Sequence, residues 1–176
     1  ILDRYPNIKN VGIAAGFGNN GGDGFVTAML LQRKFKNVTI FSLGKPDSYS
    51  NDAKHFLSIC MKEKSIDVCF PQSLKESISC AKKLQYCDLI VDALLGTGLT
   101  GKVTDPVASV IHNLPKNLPI VSVDIPSGLN GTTGEAGENC IKANQTITFA
   151  RPKIGMKNKE NYTGELIVSD IGIPEI

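Results

Sequence analysis

The sequence predicts an α/β protein, a Rossmann-like three-layer αβα sandwich with a mostly parallel central sheet. Short apolar runs that end at a glycine or a polar residue are typical of strands buried on both faces. Stretches with apolar residues at helical spacing separate these runs, and such alternation indicates repeated βαβ units. Because 176 residues are enough for one well-buried core, we expect residues 1–176 to form a single domain.

The first half of the chain predicts three strands and three helices. The strands are VGIAA, VTIFSL and IDVCF, and the first helix is FVTAMLLQRKF, which ends at Phe35. The second helix has an apolar face at i, i+3, i+4 and i+7, made of Ala53, Phe56, Leu57 and Cys60. Ser73 and Glu76 form a capping-box pattern that starts the third helix. Its predicted apolar face is Leu74, Ile78, Ala81 and Leu84.

The second half predicts a fourth helix and four more strands. The strands are DLIVDALLG, PIVSVD, QTITFA and GELIVSDIG. Asp105 is the expected N-cap of the helix, and Pro106 is a residue favoured at the first helical position. The predicted buried face of this helix is Val107, Val110, Ile111 and Leu114. Segment 151–164 is rich in Lys and Asn and is expected to be an exposed loop with little order.

Composition excludes several classes of protein. The net charge is only +2 and no basic cluster alternates with aromatic residues, so we expect no nucleic-acid partner. The apolar runs are shorter than the ~20 residues that cross a bilayer, so we expect no membrane partner. Five cysteines without a C-x-x-C pair argue against a disulfide framework and a zinc site. We therefore expect a protein of the reducing cytoplasm, with a further N-terminal segment before Ile1.

Three polar clusters follow predicted strands one, four and five. They are GNNGGDG, then Asp92 with GTGLTGK, and then Asp124 with IPSGLNG. In an open parallel sheet, ligands bind beyond the carboxyl ends of the strands, beside the point where the strand order reverses. With the strand order 3-2-1-4-5, the first two clusters face each other across that crevice and the third lies alongside. The sequence therefore predicts one ligand cavity built from all three clusters.

A dinucleotide fingerprint is one interpretation of the first cluster. Gly16, Gly18 and Gly21 match G-x-G-x-x-G, which brings backbone N–H groups close to a pyrophosphate. That fingerprint also requires an acidic residue at the end of the second strand to bind the ribose hydroxyls. Gly44 and Lys45 stand there instead. An NADP-linked oxidoreductase with Lys45 at the ribose phosphate is the alternative that this pattern leaves open.

The chain resembles a known family, the YjeF N-terminal domain family of NAD(P)H-hydrate epimerases. The resemblance rests on five segments in the family's order: Asn19–Gly24 (NNGGDG), Val91–Leu99 (VDALLGTGL), Val123–Leu129 (VDIPSGL), Phe149–Lys153 (FARPK) and Asp170–Pro174 (DIGIP). It implies an isomerase that interconverts the R and S epimers of hydrated NADH or NADPH, so that a dehydratase acts on the S form. It also implies a homodimer, with the dehydratase as a separate partner or a fused domain.

The resemblance also implies roles for individual residues. Asp124 is the implied catalytic group and lies against the substrate. Asn20, Asp92 and Ser127 would surround a potassium ion. The other implied substrate contacts are Asn19, Asn20, Gly21, Gly22, Asp23, Gly96, Thr97, Gly98, Leu99, Thr100, Gly101 and Lys102. Amide, carboxylate and hydroxyl oxygens suit an alkali or alkaline-earth cation, and the sequence leaves both open.

A non-catalytic binding module with the same fold is a further alternative. Such a module would bind a dinucleotide or a protein partner without chemistry. Asp92, Asp124 and the NNGGD segment are all present, and a scaffold does not need them together. The sequence therefore favours an enzyme.

Overall fold

One parallel sheet forms the centre of the protein. The structure, a computed structural model, describes residues 1, 4–34 and 37–172. Seven strands occur within these residues: β1 (Asn10–Ala15), β2 (Asn37–Ser42), β3 (Ile66–Cys69), β4 (Leu89–Ala93), β5 (Ile120–Val123), β6 (Gln145–Phe149) and β7 (Glu165–Ser169). They pair in the order β3-β2-β1-β4-β5-β6-β7, and every pair is parallel. The predicted α/β class, the seven strands and the 3-2-1-4-5 order are confirmed.

Helices cover both faces of the sheet. They are α1 (Asn19–Leu31), α2 (Asn51–Cys60), α3 (Leu74–Lys83), α4 (Val107–Asn113) and the short α5 (Glu160–Thr163). Phe25 of α1 and Leu57 of α2 belong to one buried apolar cluster, and Ala81 of α3 and Val110 of α4 belong to another. Every residue of β4 is buried because it lies between the two clusters. The three-layer prediction is confirmed, and no helix in the described ranges is long and apolar enough to cross a bilayer.

The first helix begins earlier than the sequence predicts. NNGGDG was expected to form a loop, but α1 starts at Asn19 and contains all six residues. A Cβ atom on Gly21 would lie 2.4 Å from the carbonyl oxygen of Gly16, and one on Gly22 would lie 3.0 Å from the Cβ of Ala53. These glycines therefore let α1 pack closely on its neighbours. Tertiary packing here overrides the low helix propensity of glycine.

Two predicted helix starts are partly wrong. Ser73 caps α3 as predicted, because its hydroxyl accepts the N–H of Glu76 at 3.2 Å. However, Leu74 is 43% exposed, since the first residue of α3 precedes the face that packs on the sheet. Helix α4 begins at Val107, one residue later than predicted. Asp105 still binds the first turn of the helix, because its Oδ1 accepts the N–H of Ser109 at 3.0 Å.

Segment 151–164 contains regular structure, so the prediction of a loop with little order is wrong, although half of its residues are exposed as predicted. It contains a 3-10 helix at Ile154–Met156 and then α5. Met156 is buried with Ile125 and Leu129 in a small apolar cluster. The many Lys and Asn residues of the segment made it look exposed, so Met156 was not predicted to be buried. Phe35, at the end of the predicted first helix, and residues 173–174 of DIGIP lie outside the described residues.

Candidate active site

A cavity of about 690 Å³ lies beyond the carboxyl ends of β1 and β4. These strands are neighbours where the strand order reverses, so the loops that follow them separate to opposite faces and leave a crevice. All three predicted polar clusters reach this cavity. The predicted site residues that line it are Asn19, Asn20, Asp23, Gly96, Thr97, Gly98, Leu99, Thr100, Lys102 and Asp124. The sequence analysis did not name Phe17, which also lines the cavity and is partly exposed.

Three predicted substrate contacts lie elsewhere. Gly21 and Gly22 are buried within α1, against Gly16 and Ala53. Gly101 has a positive φ of 78° and lines a second cavity of about 610 Å³. The two cavities adjoin, because Leu99, Lys102 and Val103 line both.

Asp92 is fully buried at the end of β4 and binds the loop that follows β5. Ser127 donates its hydroxyl to Oδ1 at 2.5 Å and its backbone N–H to Oδ2 at 2.9 Å. The hydroxyl of Ser122 donates to Oδ2 at 2.8 Å, and the N–H of Leu94 donates to Oδ1 at 3.3 Å. Burial raises the pKa of Asp92, although the hydrogen bonds oppose that shift.

Leu95 connects Asn20 and Ser127, two of the three predicted ligands of the cation. Its carbonyl oxygen accepts the side-chain N–H of Asn20 at 2.9 Å, and its N–H donates to the Ser127 hydroxyl at 2.8 Å. Among the described residues, no Lys, Arg or His side chain forms an ion pair with Asp92. A buried carboxylate is costly without a positive partner. Amide, carboxylate, hydroxyl and carbonyl oxygens meet here, so the residues present fit an alkali cation.

Asp124 lies at the end of β5 with a positive φ of 64°. Its N–H donates to the carbonyl oxygen of Ile147 at 2.8 Å, which holds the residue against β6. Its Oδ1 accepts the Nζ of Lys153 at 2.5 Å, the N–H of Phe149 at 3.1 Å and the hydroxyl of Thr148 at 3.2 Å. Within the described parts of the chain, Oδ2 accepts no hydrogen bond from any residue.

Lys153 is a further residue of the site that the sequence did not predict. It stands in the segment predicted to be an exposed loop, yet its side chain is only 20% exposed and pairs with Asp124. A signal was available, because Lys153 closes the FARPK segment on which the family resemblance partly rests. Without the fold, nothing in the spacing connects it to a residue 29 positions earlier.

Asp23 places a second carboxyl group on the same cavity. Burial, with the nearby negative charge of Asp124, raises the pKa of Asp23. Asp124 is paired with an ammonium group, whereas Asp23 has no ion-pair partner among the residues that the structure covers. The cavity thus combines two carboxyl groups in opposite electrostatic surroundings, an arrangement suited to proton transfer.

Comparisons with known proteins agree with this architecture. Residues 1–155 match a family described as YjeF-related protein N-terminus. An NAD(P)H-hydrate epimerase from Cenarchaeum symbiosum is 38% identical over 174 residues, which are 98% of this chain and 78% of that protein. A bifunctional NAD(P)H-hydrate repair enzyme from Moorella thermoacetica is 39% identical over 95% of this chain. The chain spans only 32% of that longer enzyme.

A solved structure is also similar. The crystal structure of yeast ynu0 superposes with a TM-score of 0.76 at 26% sequence identity. The match covers 95% of this chain and 68% of the yeast chain.

Proposed function

The chain belongs to the YjeF-related N-terminal family, and from this premise we propose that it is an NAD(P)H-hydrate epimerase that interconverts the R and S epimers of hydrated NADH and NADPH. One observation carries the proposal: Asp124 lines a cavity of about 690 Å³ that three distant segments build at the reversal of the strand order. Relatives that match 98% and 99% of this chain have the name NAD(P)H-hydrate epimerase.

Asp124 acts as the general acid and base of this reaction. Epimerisation requires the carbon–oxygen bond of the hydrated carbon to break and to form again on the other face of the ring. The proton that accompanies the departing and returning hydroxyl needs a carrier. Oδ2 of Asp124 is suited to carry it, since the three donors described above all bind Oδ1. General acid and base catalysis of this kind accelerates reactions by ~10²–10⁴-fold.

The loop after β4 binds the pyrophosphate of the substrate. Gly96 and Gly98 line the cavity, and a Cβ atom on Gly98 would meet no atom within 4 Å, which leaves room for a close ligand. Backbone N–H groups of such loops bind phosphate oxygens, and Lys102 adds a positive charge beside them. The second cavity adjoins the first at Lys102, so a long substrate has space to extend into it.

Asn20, Asp92 and Ser127 would hold a potassium ion. The burial of Asp92, its lack of an ion pair among the described residues and the surrounding oxygen atoms support this assignment. Such an ion would neutralise Asp92 and stabilise the loops that shape the cavity.

The partner and location follow from the relatives and the thiols. The S epimer is passed to an NAD(P)H-hydrate dehydratase, as either a separate partner or a fused domain, and the bifunctional relatives support fusion. All five cysteines are free thiols in the described structure, which supports a cytoplasmic location. The active form is a homodimer.

The proposal is tested by following the equilibration of R- and S-hydrates of NADH by chromatography. We expect wild type to accelerate it and Asp124→Asn to lose at least about a hundredfold of that acceleration. Asn tolerates the positive φ at this position, so the backbone is kept. Equal rates for both proteins would contradict the proposal. Oxidation of intact NADPH by wild type would instead indicate the oxidoreductase, and lack of acceleration by wild type would indicate the binding module.

A further inference from the structure

We propose that Lys153 is a positioning residue for the epimerase reaction, which acts by fixing the carboxylate of Asp124 so that one of its oxygens is left free for the substrate. The inference rests on the proposed function, because it assigns Asp124 the role of acid and base. Lys153 itself is not among the residues that line the cavity. Its effect on the reaction must therefore pass through Asp124.

The ammonium group is held in place by more than Asp124. Nζ of Lys153 lies 3.0 Å from the hydroxyl of Thr148 and 3.2 Å from the carbonyl oxygen of Phe149. With Oδ1 of Asp124 at 2.5 Å and the carbonyl oxygen of Arg151 at 3.4 Å, four acceptors surround the three N–H bonds of the ammonium. The ammonium group is therefore a fixed positive charge at this site.

The carboxylate of Asp124 is bound from one side only. Thr148 and Phe149 bind the same oxygen, Oδ1, that Lys153 binds. Three donors on one oxygen hold the carboxylate in place, and Oδ2 retains its lone pairs for the proton that moves with the hydroxyl. A side chain that only stabilised the fold would not need to leave this oxygen free.

The backbone around Lys153 is anchored to the segment that follows Asp124. Met156 packs on Ile125 in the small apolar cluster. The N–H of Gly155 donates to the carbonyl oxygen of Gly131 at 2.8 Å, and a Cβ atom on Gly155 would lie 2.1 Å from the carbonyl oxygen of Asn130. These contacts place the ammonium and the carboxylate on one rigid unit, so their separation does not depend on a mobile loop.

The positive charge of Lys153 balances negative charges beside the cavity. Asp23 from α1 and Asp105 from the loop before α4 are acidic groups that line it, and Lys102 is the basic group. Without the ammonium, the negative charge of Asp124 would face that of Asp23 uncompensated. Loss of Lys153 should therefore leave the Asp124 carboxylate without its positive partner and free to turn away from the cavity.

The test compares four variants with wild type in an assay that couples R-hydrate epimerisation to an excess of S-specific dehydratase. Lys153→Met removes the charge and Lys153→Gln removes it while keeping N–H donors. Lys153→Arg keeps the charge, and Lys157→Met is the control, because Lys157 is exposed in the same segment. Thermal unfolding identifies variants that do not fold, and if Lys153→Met is among them, Lys153→Gln decides the result.

We expect Lys153→Met and Lys153→Gln to lower kcat by about tenfold to a hundredfold with KM within about twofold of wild type. Lys153→Arg should recover most of the loss and Lys157→Met should behave as wild type. Unchanged kcat in both neutral variants would overturn the inference, and so would an equal loss of kcat in Lys153→Arg. An inactive wild type would contradict the proposed function itself.

Discussion

Ser127 binds Asp92 twice, through its hydroxyl to Oδ1 at 2.5 Å and through its backbone N–H to Oδ2 at 2.9 Å. The two residues are 35 positions apart in the chain and belong to different strand ends. Their contact joins β4 to the loop after β5, next to Leu94 and Leu95, which line the candidate cavity. The following predictions begin from this pair.

Ser127→Ala should lower the free energy of unfolding by about 2 kcal/mol, because a buried carboxylate loses its shortest donor. Urea unfolding measures the change. Ser79→Ala is the control, because Ser79 is exposed on α3 and its substitution should cost less than about 0.5 kcal/mol. Equal losses in the two variants would show that the hydrogen bonds between Ser127 and Asp92 add nothing to the free energy of unfolding.

Potassium should stabilise the wild-type protein. At saturating potassium we expect Tm to rise by about 5 °C relative to the same ionic strength of choline chloride, since the ion binds only the folded state. Asp92→Asn removes the charge that attracts the ion, and this difference should disappear. If wild type melts at the same temperature in both salts, the cation assignment is wrong.

Gly16→Ala should prevent folding or destabilise the protein by about 3 kcal/mol or more. A Cβ atom on Gly16 would lie 1.7 Å from the carbonyl oxygen of Leu94, where the ends of β1 and β4 approach each other. Gly18→Ala is the matched control, because a Cβ atom there would meet no atom within 4 Å. The urea midpoint distinguishes them, and a stable Gly16→Ala protein would show that the two strand ends are less close than described.

Asp23→Asn should raise Tm at pH 8 by about 2 °C or more and have no effect near pH 3. Burial raises the pKa of Asp23 in the folded state above its unfolded value. The stability that the protonated carboxyl contributes is complete below the unfolded pKa and is lost as pH rises through the folded pKa. Asp67→Asn, at an exposed position of β3, should show no such pH dependence. A larger gain at acidic pH than at pH 8 would contradict the sign.

Lys102→Ala should raise KM for either hydrate by about tenfold and leave kcat and Tm close to wild type. Its ammonium lines the cavity from an exposed loop, so it contributes charge to the bound phosphate without supporting the core. Steady-state kinetics at two ionic strengths measure the effect, which salt should weaken. The control is Lys75→Ala, an exposed lysine on α3. An unchanged KM would remove Lys102 from the substrate contacts.

The sheet was predictable from sequence because each strand is a short apolar run between polar turns. Strand alternation and the positions of the three polar clusters were enough to place Asp92 and Asp124 at the same edge of the sheet. This inference needs only the topology, since the carboxyl ends of all parallel strands point the same way.

The remaining differences have long-range causes. Considered alone, the glycines of NNGGDG predict a loop. In the structure Gly21 lies close to Gly16 and Gly22 lies close to Ala53, and these contacts explain why glycines occur in this helix. Lys153 could not be connected to Asp124 because their contact depends on Met156 packing under the β5 loop. Local patterns therefore predicted the elements, whereas contacts between distant segments determined the site.

The pairing of Lys153 with Asp124 also has a consequence for synthesis on the ribosome. Chains emerge from the N-terminal end, so β1 and β4 leave the exit tunnel before the later segments do. Asp124 emerges next, and Lys153 and Met156 follow about thirty residues later. A translational arrest in that interval would yield a nascent polypeptide that contains Asp124 but lacks Lys153, so catalytic competence is acquired late.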